Sequence, residues 1–235
     1  MPTALAIDTA TAACSAALWR SGAVAAGRFE IMHRGHAENL MPMVDAVMTE
    51  AGAAPDTLDL IAVTVGPGAF TGLRLGLAAA RGLALATGAP CMGLTTTETL
   101  AAAVAEASGA ATGAIVAALD TKRGDYYVQV FDAAGKAVSE PAVLAAADLA
   151  GFVAGHAEGR APARLAGDVQ DAVAAALGAA GLETAATPVI FPDAKVVAAL
   201  AAGRFRPGEK PAPPAPLYLR RPDATPAVDG GRIRG

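Results

Sequence analysis

The sequence predicts an α/β protein of two lobes, with mixed sheets flanked by helices. Three observations carry this expectation. The first third alternates strand-like apolar runs with helical spacing in the order βββαβαβα, which places helices on the faces of a mixed sheet. A later segment echoes the first hairpin: AIDTATAACSAALW (6–19) aligns without gaps to ALDTKRGDYYVQVF (118–131), each a strand, an Asp-Thr pair, a turn and a second strand. A length of 235 residues supplies core material for one large domain or two small ones.

Residues 4–8 form a short apolar run ending in an acid, 15–19 a second strand, and 24–31 a weaker third punctuated by Gly22 and Gly27. Over 38–51 the apolar positions Leu40, Val44, Val47, Met48 and Ala51 have helical spacing, and Gly52 supplies a stop. Residues 60–65 read as a buried strand running into Gly66-Pro67-Gly68, followed by a helix over 70–87 closed by Gly88. A strand at 91–94 and an alanine-rich helix at 96–107 complete this part. From Ser108-Gly109 onward, strands at 114–119 and 125–131 flank a turn, and helices follow at 145–154, 170–180 and 193–202. Residues 207–216 hold five prolines in ten positions and form no regular element. The stretch after Leu219 reads as a loose tail. The expected units are an N-terminal lobe over 1–107, a smaller C-terminal lobe over 108–206, and a Pro-rich segment with tail over 207–235.

Composition excludes several function classes. The chain is 54% hydrophobic with a mean hydropathy of +0.41, yet 63 residues are alanine, which suits a helix surface as well as a core. A membrane span needs about 18 or more continuous apolar residues; the best stretch, 75–86, is broken by Gly76, Arg81 and Gly82. The start, MPTALAIDTATAA, has no cationic residues before its apolar ones and does not read as a secretory signal. Two cysteines, Cys14 and Cys91, make no disulfide framework and read as buried thiols in a reducing cytoplasm. With a net charge of −4 and no internal basic run, a nucleic-acid role is one borrowed from a partner. Arg220, Arg221, Arg232 and Arg234 near the end read as solvated.

Four motifs stand out. Asp8 with Thr9 and Thr11 can hold hydrated Mg²⁺ or phosphate at a strand end, or simply form a turn. The loop 66–72 enters a helix whose N-terminal amides suit anions, but it lacks the Lys-Ser/Thr of a phosphate loop. Gly72 and Gly76 lie one turn apart; mid-helix glycine costs about 1 kcal/mol against alanine, so close packing, within the chain or across an interface, is their reason. His33 and His36 have no partners at metal spacing apart from Glu38, and Met41, Met43 and Met48 mark an adaptable helix. No nucleophile triad, acid–base carboxylate pair or zinc spacing can be assembled.

The strings LAIDTATAACSAALW, RGHAENLMPMVD, VTVGPGAFTGLRLGLAAARGLA, LDTKRGDYY and PLYLR resemble the TsaB (YeaZ) family, densely over 4–132 and again at 216–220. The resemblance implies an actin-like (ASKHA, RNase H-like) two-lobe fold. It implies a non-catalytic subunit for N6-threonylcarbamoylation of adenosine 37 in ANN-decoding tRNAs. Such a subunit heterodimerises with a TsaD-like transferase, recruits a TsaE-like ATPase, touches tRNA only through the complex, and forms a homodimer when alone. The interface residues implied are His36, Glu38, Leu40, Met43, Val44 and Val47 on one helix. On the next they are Phe70, Thr71, Gly72, Leu73, Arg74, Leu75 and Gly76. Asp8, Thr9, Thr11 and Asp120 become vestigial phosphate-loop positions, with no metal and no cofactor. The one-glycine turn 121–125, crowded by charged side chains, agrees with an inactive scaffold. The alternative is an actin-like enzyme with weak ATPase or metallopeptidase-like activity, using Asp8 and Asp120 for Mg²⁺ or His33 and His36 for a metal.

Overall fold

The computed structural model describes residues 1–109, 112–157 and 161–220; the tail from 221 on, with Arg221, Arg232 and Arg234, lies outside the described residues. Strands β1 (Ala4–Thr11), β2 (Ala13–Arg20) and β3 (Ala23–Ile31) form a meander. Helix α1 (His36–Glu50), β4 (Leu60–Thr64), α2 (Phe70–Thr87), β5 (Cys91–Leu94) and α3 (Thr96–Ser108) complete a first series. The second series begins with β6 (Ile115–Asp120), β7 (Tyr126–Phe131) and β8 (Ala142–Leu144). It continues through α4 (Leu149–His156), β9 (Ala163–Ala166), α5 (Gln170–Ala179), β10 (Thr184–Ala186) and α6 (Ala194–Arg204). The sheets run β3-β2-β1-β4-β5 and β8-β7-β6-β9-β10, the same order of third, second, first, fourth and fifth strand. In each sheet the first three strands are antiparallel and the last two join in parallel. The hairpin echo is therefore the legible part of a repeat that covers the whole βββαβαβα series.

Strands β8, β9 and β10 are absent from the sequence reading. Each has three or four residues (AVL, ARLA, TAA) with no polar alternation, and each exists because a neighbouring strand pairs with it. Strands β1 and β2 run on through the expected turn, leaving only Ala12 between Thr11 and Ala13, with a bulge after Asp8.

Each sheet is covered on both faces. On the outer face of the first, Leu5, Ile7, Leu18 and Ile61 meet Leu40, Val44 and Val47 of α1 and Leu77 and Ala80 of α2. On its inner face Ala4, Ala6, Ala17 and Ala62 meet Ala194, Val197, Ala198 and Ala201 of α6. The second sheet packs Val116, Val128 and Val130 against α4 and α5, and Ile115, Leu119 and Phe131 against Leu100, Ala101 and Val104 of α3. The two closing helices are thus exchanged: α3, from the first series, covers the second sheet, and α6, from the second, covers the first. They meet between the sheets, where Arg204 of α6 pairs with Glu98 of α3 at 2.8 Å. One-carbon side chains let strand and helix backbones approach closely in this central layer, so much of the alanine is core rather than helix surface.

Beyond α6 the proline-rich chain has no regular element, as expected, but it is firmly placed along the first lobe. Arg81 Nη2 donates to the Pro214 carbonyl at 2.6 Å, and the Leu217 N–H donates to the Val65 carbonyl at 2.7 Å. The Leu217 side chain joins the core under α1 and α2.

Candidate functional site

The lobes border a cleft of about 1040 Å³. Its walls are the β1–β2 turn at Thr9–Ala12, the entry to α1 at His33–Glu38, the start of α2 at Gly68–Gly72, the β6–β7 turn at Leu119–Arg123, and Tyr218 and Arg220. Sequence dictates why α2 starts here. A Cβ at Gly68 would strike the Ala10 carbonyl oxygen, one at Gly72 the Thr9 carbonyl oxygen, and one at Gly76 would lie 2.6 Å from Thr9 Oγ1. Only a loop and helix with glycine at those three positions can lie this close to the end of β1. Thr9 Oγ1 donates to the Gly72 carbonyl at 2.7 Å, and the Ala69 N–H donates to the Ala10 carbonyl at 2.8 Å. His36 opens α1 with Nε2 3.0 Å from the Thr11 carbonyl oxygen, to which a ring N–H donates.

The positions read as a phosphate loop part company. Thr9, Thr11 and Asp120 line the cleft, whereas Asp8 is fully buried and takes no part in its wall. Asp8 Oδ1 accepts from the Thr64 hydroxyl and from the Ala10 N–H at 3.3 Å, while Oδ2 has no partner among the described residues. Beside it in the sheet, Ser15 Oγ accepts the Ala194 N–H at 2.9 Å, so the first residue of α6 closes over this end of β1 and β2. Burial pushes the Asp8 carboxyl up to about 7, outweighing the bonds from Thr64 and Ala10.

In the second lobe the Asp120 N–H donates to Asp168 Oδ1 at 2.9 Å, and Asp120 Oδ2 receives Lys122 Nζ at 2.8 Å. Burial acts to raise the Asp120 pKa, but the Lys122 ammonium and N–H hold it below the ordinary value. For Asp168, burial dominates and the pKa rises. Arg220 forms an ion pair with Asp125, and Thr121 Oγ1 donates to the same carboxylate. The charged groups of this turn, Asp120 with Lys122 and Asp125 with Arg220, pair with one another across its two sides. Among the described residues, no three His, Cys, Asp or Glu side chains are grouped to hold a metal.

The thirteen residues read as a partner interface divide by burial. Leu40, Met43, Val44, Val47, Leu73 and Gly76 are buried in the chain's own core. Glu38, Phe70, Thr71 and Arg74 are exposed, and His36, Gly72 and Leu75 are partly so. The reason is helical phase: the apolar positions of α1 face its sheet. The Arg74 guanidinium lies 3.7 Å from the Phe70 ring centroid, and Phe70 stacks at 5.3 Å on Tyr218, whose hydroxyl accepts from Arg74 Nε at 3.0 Å. The outer face continues through Ala78, Gly82 and Leu85; nothing lies within 4 Å of a Cβ at Gly82, and Leu85 is 88% exposed. Gly82 and Leu85 lie beyond the 70–81 stretch that the resemblance points to, although three- and four-residue spacing from Arg74 through Ala78 finds them.

Two matching five-stranded sheets, each a repeat of the same order and closed over a cleft, define a two-lobed protein of the actin-like class. The family model described as TsaD, tRNA N6-adenosine threonylcarbamoyltransferase, matches residues 30–207. The chain is 42% identical over 123 residues to the tRNA threonylcarbamoyladenosine biosynthesis protein TsaB of Escherichia coli, a match that spans 52% of each chain. An uncharacterised Mycobacterium tuberculosis protein is 34% identical over 227 residues, covering 95% of this chain and 94% of its own. The structure of YeaZ from Pseudomonas aeruginosa superposes with a TM-score of 0.78 at 29% identity, over 93% of this chain and all of that one. The chain belongs to the TsaB/YeaZ family, whose named members serve tRNA threonylcarbamoyladenosine biosynthesis.

Proposed function

We propose that this chain is a non-catalytic cytoplasmic subunit that pairs with a TsaD-like transferase through the outer face of α2 and the adjoining entry to α1. With that partner it recruits a TsaE-like ATPase for N6-threonylcarbamoylation of adenosine 37 in ANN-decoding tRNAs. The observation that carries the reading is Gly82. A glycine inside a helix costs about 1 kcal/mol against alanine. At Gly72 and Gly76 the close approach of Thr9 accounts for that cost, whereas at Gly82 nothing among the described residues does. An exposed glycine three residues from Leu85, on the face that carries Ala78 and Arg74, fits the close approach of a helix from another chain. The full burial of Asp8 away from the cleft wall supports a scaffold over an enzyme, since a ligand in the cleft does not meet its carboxylate.

Co-purification with the TsaD-like protein of the same organism tests the reading. Leu85→Glu and Gly82→Phe abolish the complex while thermal unfolding of the isolated chain stays within about 0.5 kcal/mol, as surface substitutions do. Retained complexes with both variants sink it. Asp8→Asn leaves threonylcarbamoylation by the assembled complex unchanged; a large loss of rate in an intact complex assigns catalysis to this chain.

A further inference from the structure

The segment after α6 touches both lobes within a few residues. On the first lobe, Pro214 is held by Arg81 and packs beside Gly93. Leu217 bonds to the Val65 carbonyl while its side chain joins the core. Tyr218 then lies on Phe70, its hydroxyl receiving Arg74 Nε. Two residues further on, Arg220 pairs with Asp125 of the β6–β7 turn, which belongs to the second lobe. Leu217, Tyr218 and Arg220 all line the cleft, so the connection runs along it from one wall to the other.

The turn that receives Arg220 is closed on itself. The Thr121 N–H donates to the Asp125 carbonyl at 3.2 Å, and Thr121 Oγ1 donates to that carbonyl at 3.0 Å and to the Asp125 carboxylate. Lys122, at φ 62°, gives its N–H to Asp120 Oδ1 at 2.6 Å. A turn bonded in this way moves with β6 and β7 as one piece. The Arg220 and Asp125 side chains are 35% and 18% exposed, against 41% and 49% for the Arg28–Glu50 pair. Lower exposure leaves an ion pair less screened by water.

The connection is short. Three residue steps separate Leu217 from Arg220, at most about 11 Å of extended backbone. A lobe movement that carries the turn beyond that span and the reach of one arginine must break either the ion pair or the hold on Leu217. Leu217 is anchored by both backbone and core, so the ion pair yields first. The α3–α6 layer, with its Arg204–Glu98 pair, joins the lobes independently of this segment. Loss of the Arg220 contact therefore leaves the lobes connected and free to change angle.

We propose that residues 217–220 form a strap that fastens the two lobes at one angle, with the Arg220–Asp125 pair as its clasp. The width of the cleft is then set by the chain itself, and the clasp can open without unfolding either lobe. The inference invokes no second chain and does not depend on the function proposed above.

Distances between spin labels on the full chain test it, with one label at Met41→Cys on α1 and the other at Val138→Cys beyond β7. Both positions are exposed, and burial pushes the Cys14 and Cys91 thiols up to about 11, so labelling goes to the introduced cysteines. The otherwise unaltered chain gives one narrow distance distribution. Arg220→Glu adds a longer component, populated about fivefold or more above that chain, the factor that losing a partly exposed ion pair supplies. The exchanged variant Arg220→Glu/Asp125→Arg restores the narrow distribution, which a folding defect could not do. An unchanged distribution in Arg220→Glu overturns the proposal. So does faster hydrogen exchange at the Leu217 amide with label distances unchanged, since the segment then frays without holding the lobes. A longer component that persists in the exchanged variant overturns it as well, because the charge pair is then not the clasp.

Discussion

The carbonyl oxygen of Thr9 occupies the place that a side chain at Gly72 would need, and the Thr9 hydroxyl donates to the Gly72 carbonyl at 2.7 Å. Strand β1 and helix α2 are locked through this pair. Gly72→Ala should therefore destabilise the chain by roughly 1–3 kcal/mol, the range for overpacking a filled site. Gly82→Ala, in open space on the same helix, should stabilise it by about 0.5–1 kcal/mol. Urea unfolding of the two variants gives shifts of opposite sign.

Asp8 links stability to pH. Its folded pKa of about 7 lies above the ordinary carboxylate value of 3.8, so the native state holds the proton more tightly than the unfolded chain. The contribution is fully present below the unfolded pKa and is lost as pH rises toward about 7, then stays level. Unfolding free energy should fall between about pH 4 and 7 in the parent chain and be markedly flatter in Asp8→Asn. Equal slopes in the two proteins would remove Asp8 as the cause.

The 205–220 segment behaves as part of the first lobe. Leu217→Ala should cost about 2 kcal/mol, at the low end for a large-to-small core change because the side chain is only partly buried. Limited proteolysis within 207–216 should accelerate in the same variant. Tyr218→Ala, at a side chain 39% exposed, should leave stability within about 1 kcal/mol.

Lys122 sets the ionisation of Asp120. Lys122→Met should raise the Asp120 pKa toward or past its ordinary value, read by carboxylate NMR titration, because burial then acts without the ammonium to oppose it. The depressed pKa of the parent chain contributes stability above the unfolded value, lost as pH falls through the folded one. With Lys122 76% exposed, solvent screening keeps the effect on unfolding small.

Long periodic elements were legible in the sequence, and short paired ones were not. The βββαβαβα order, the 70–87 helix and its Gly88 stop match the structure because hydrophobic period and glycine placement are local properties. Strands β8, β9 and β10 depend on partners distant in sequence, and the exchange of α3 and α6 between sheets has no local signature. At the site, the 66–72 loop was legible from its glycines, and the place of the 121–125 turn at the cleft from the family resemblance. Six of the thirteen residues read as an interface turn into the chain's own core, a matter of helical phase. Apolar residues at helical spacing identify a helix face, but only the packed sheet decides that Leu40, Val44 and Val47 turn inward while Leu85 turns out.

The sequence by itself determined the class, the hairpin echo and the family, since these rest on the order of motifs and on glycines that no other residue can replace. Tertiary structure decided what the motifs face. Asp8 and Asp120 occupy corresponding strands of two lobes, yet one is fully buried and the other opens on the cleft. Gly72 and Gly82 are both glycines inside α2, yet Thr9 fills the space beside one and no described residue fills the space beside the other. The physical reason is the same in both cases. Burial and free space are properties of neighbours brought together by folding, and a residue type specifies only which neighbours it can tolerate.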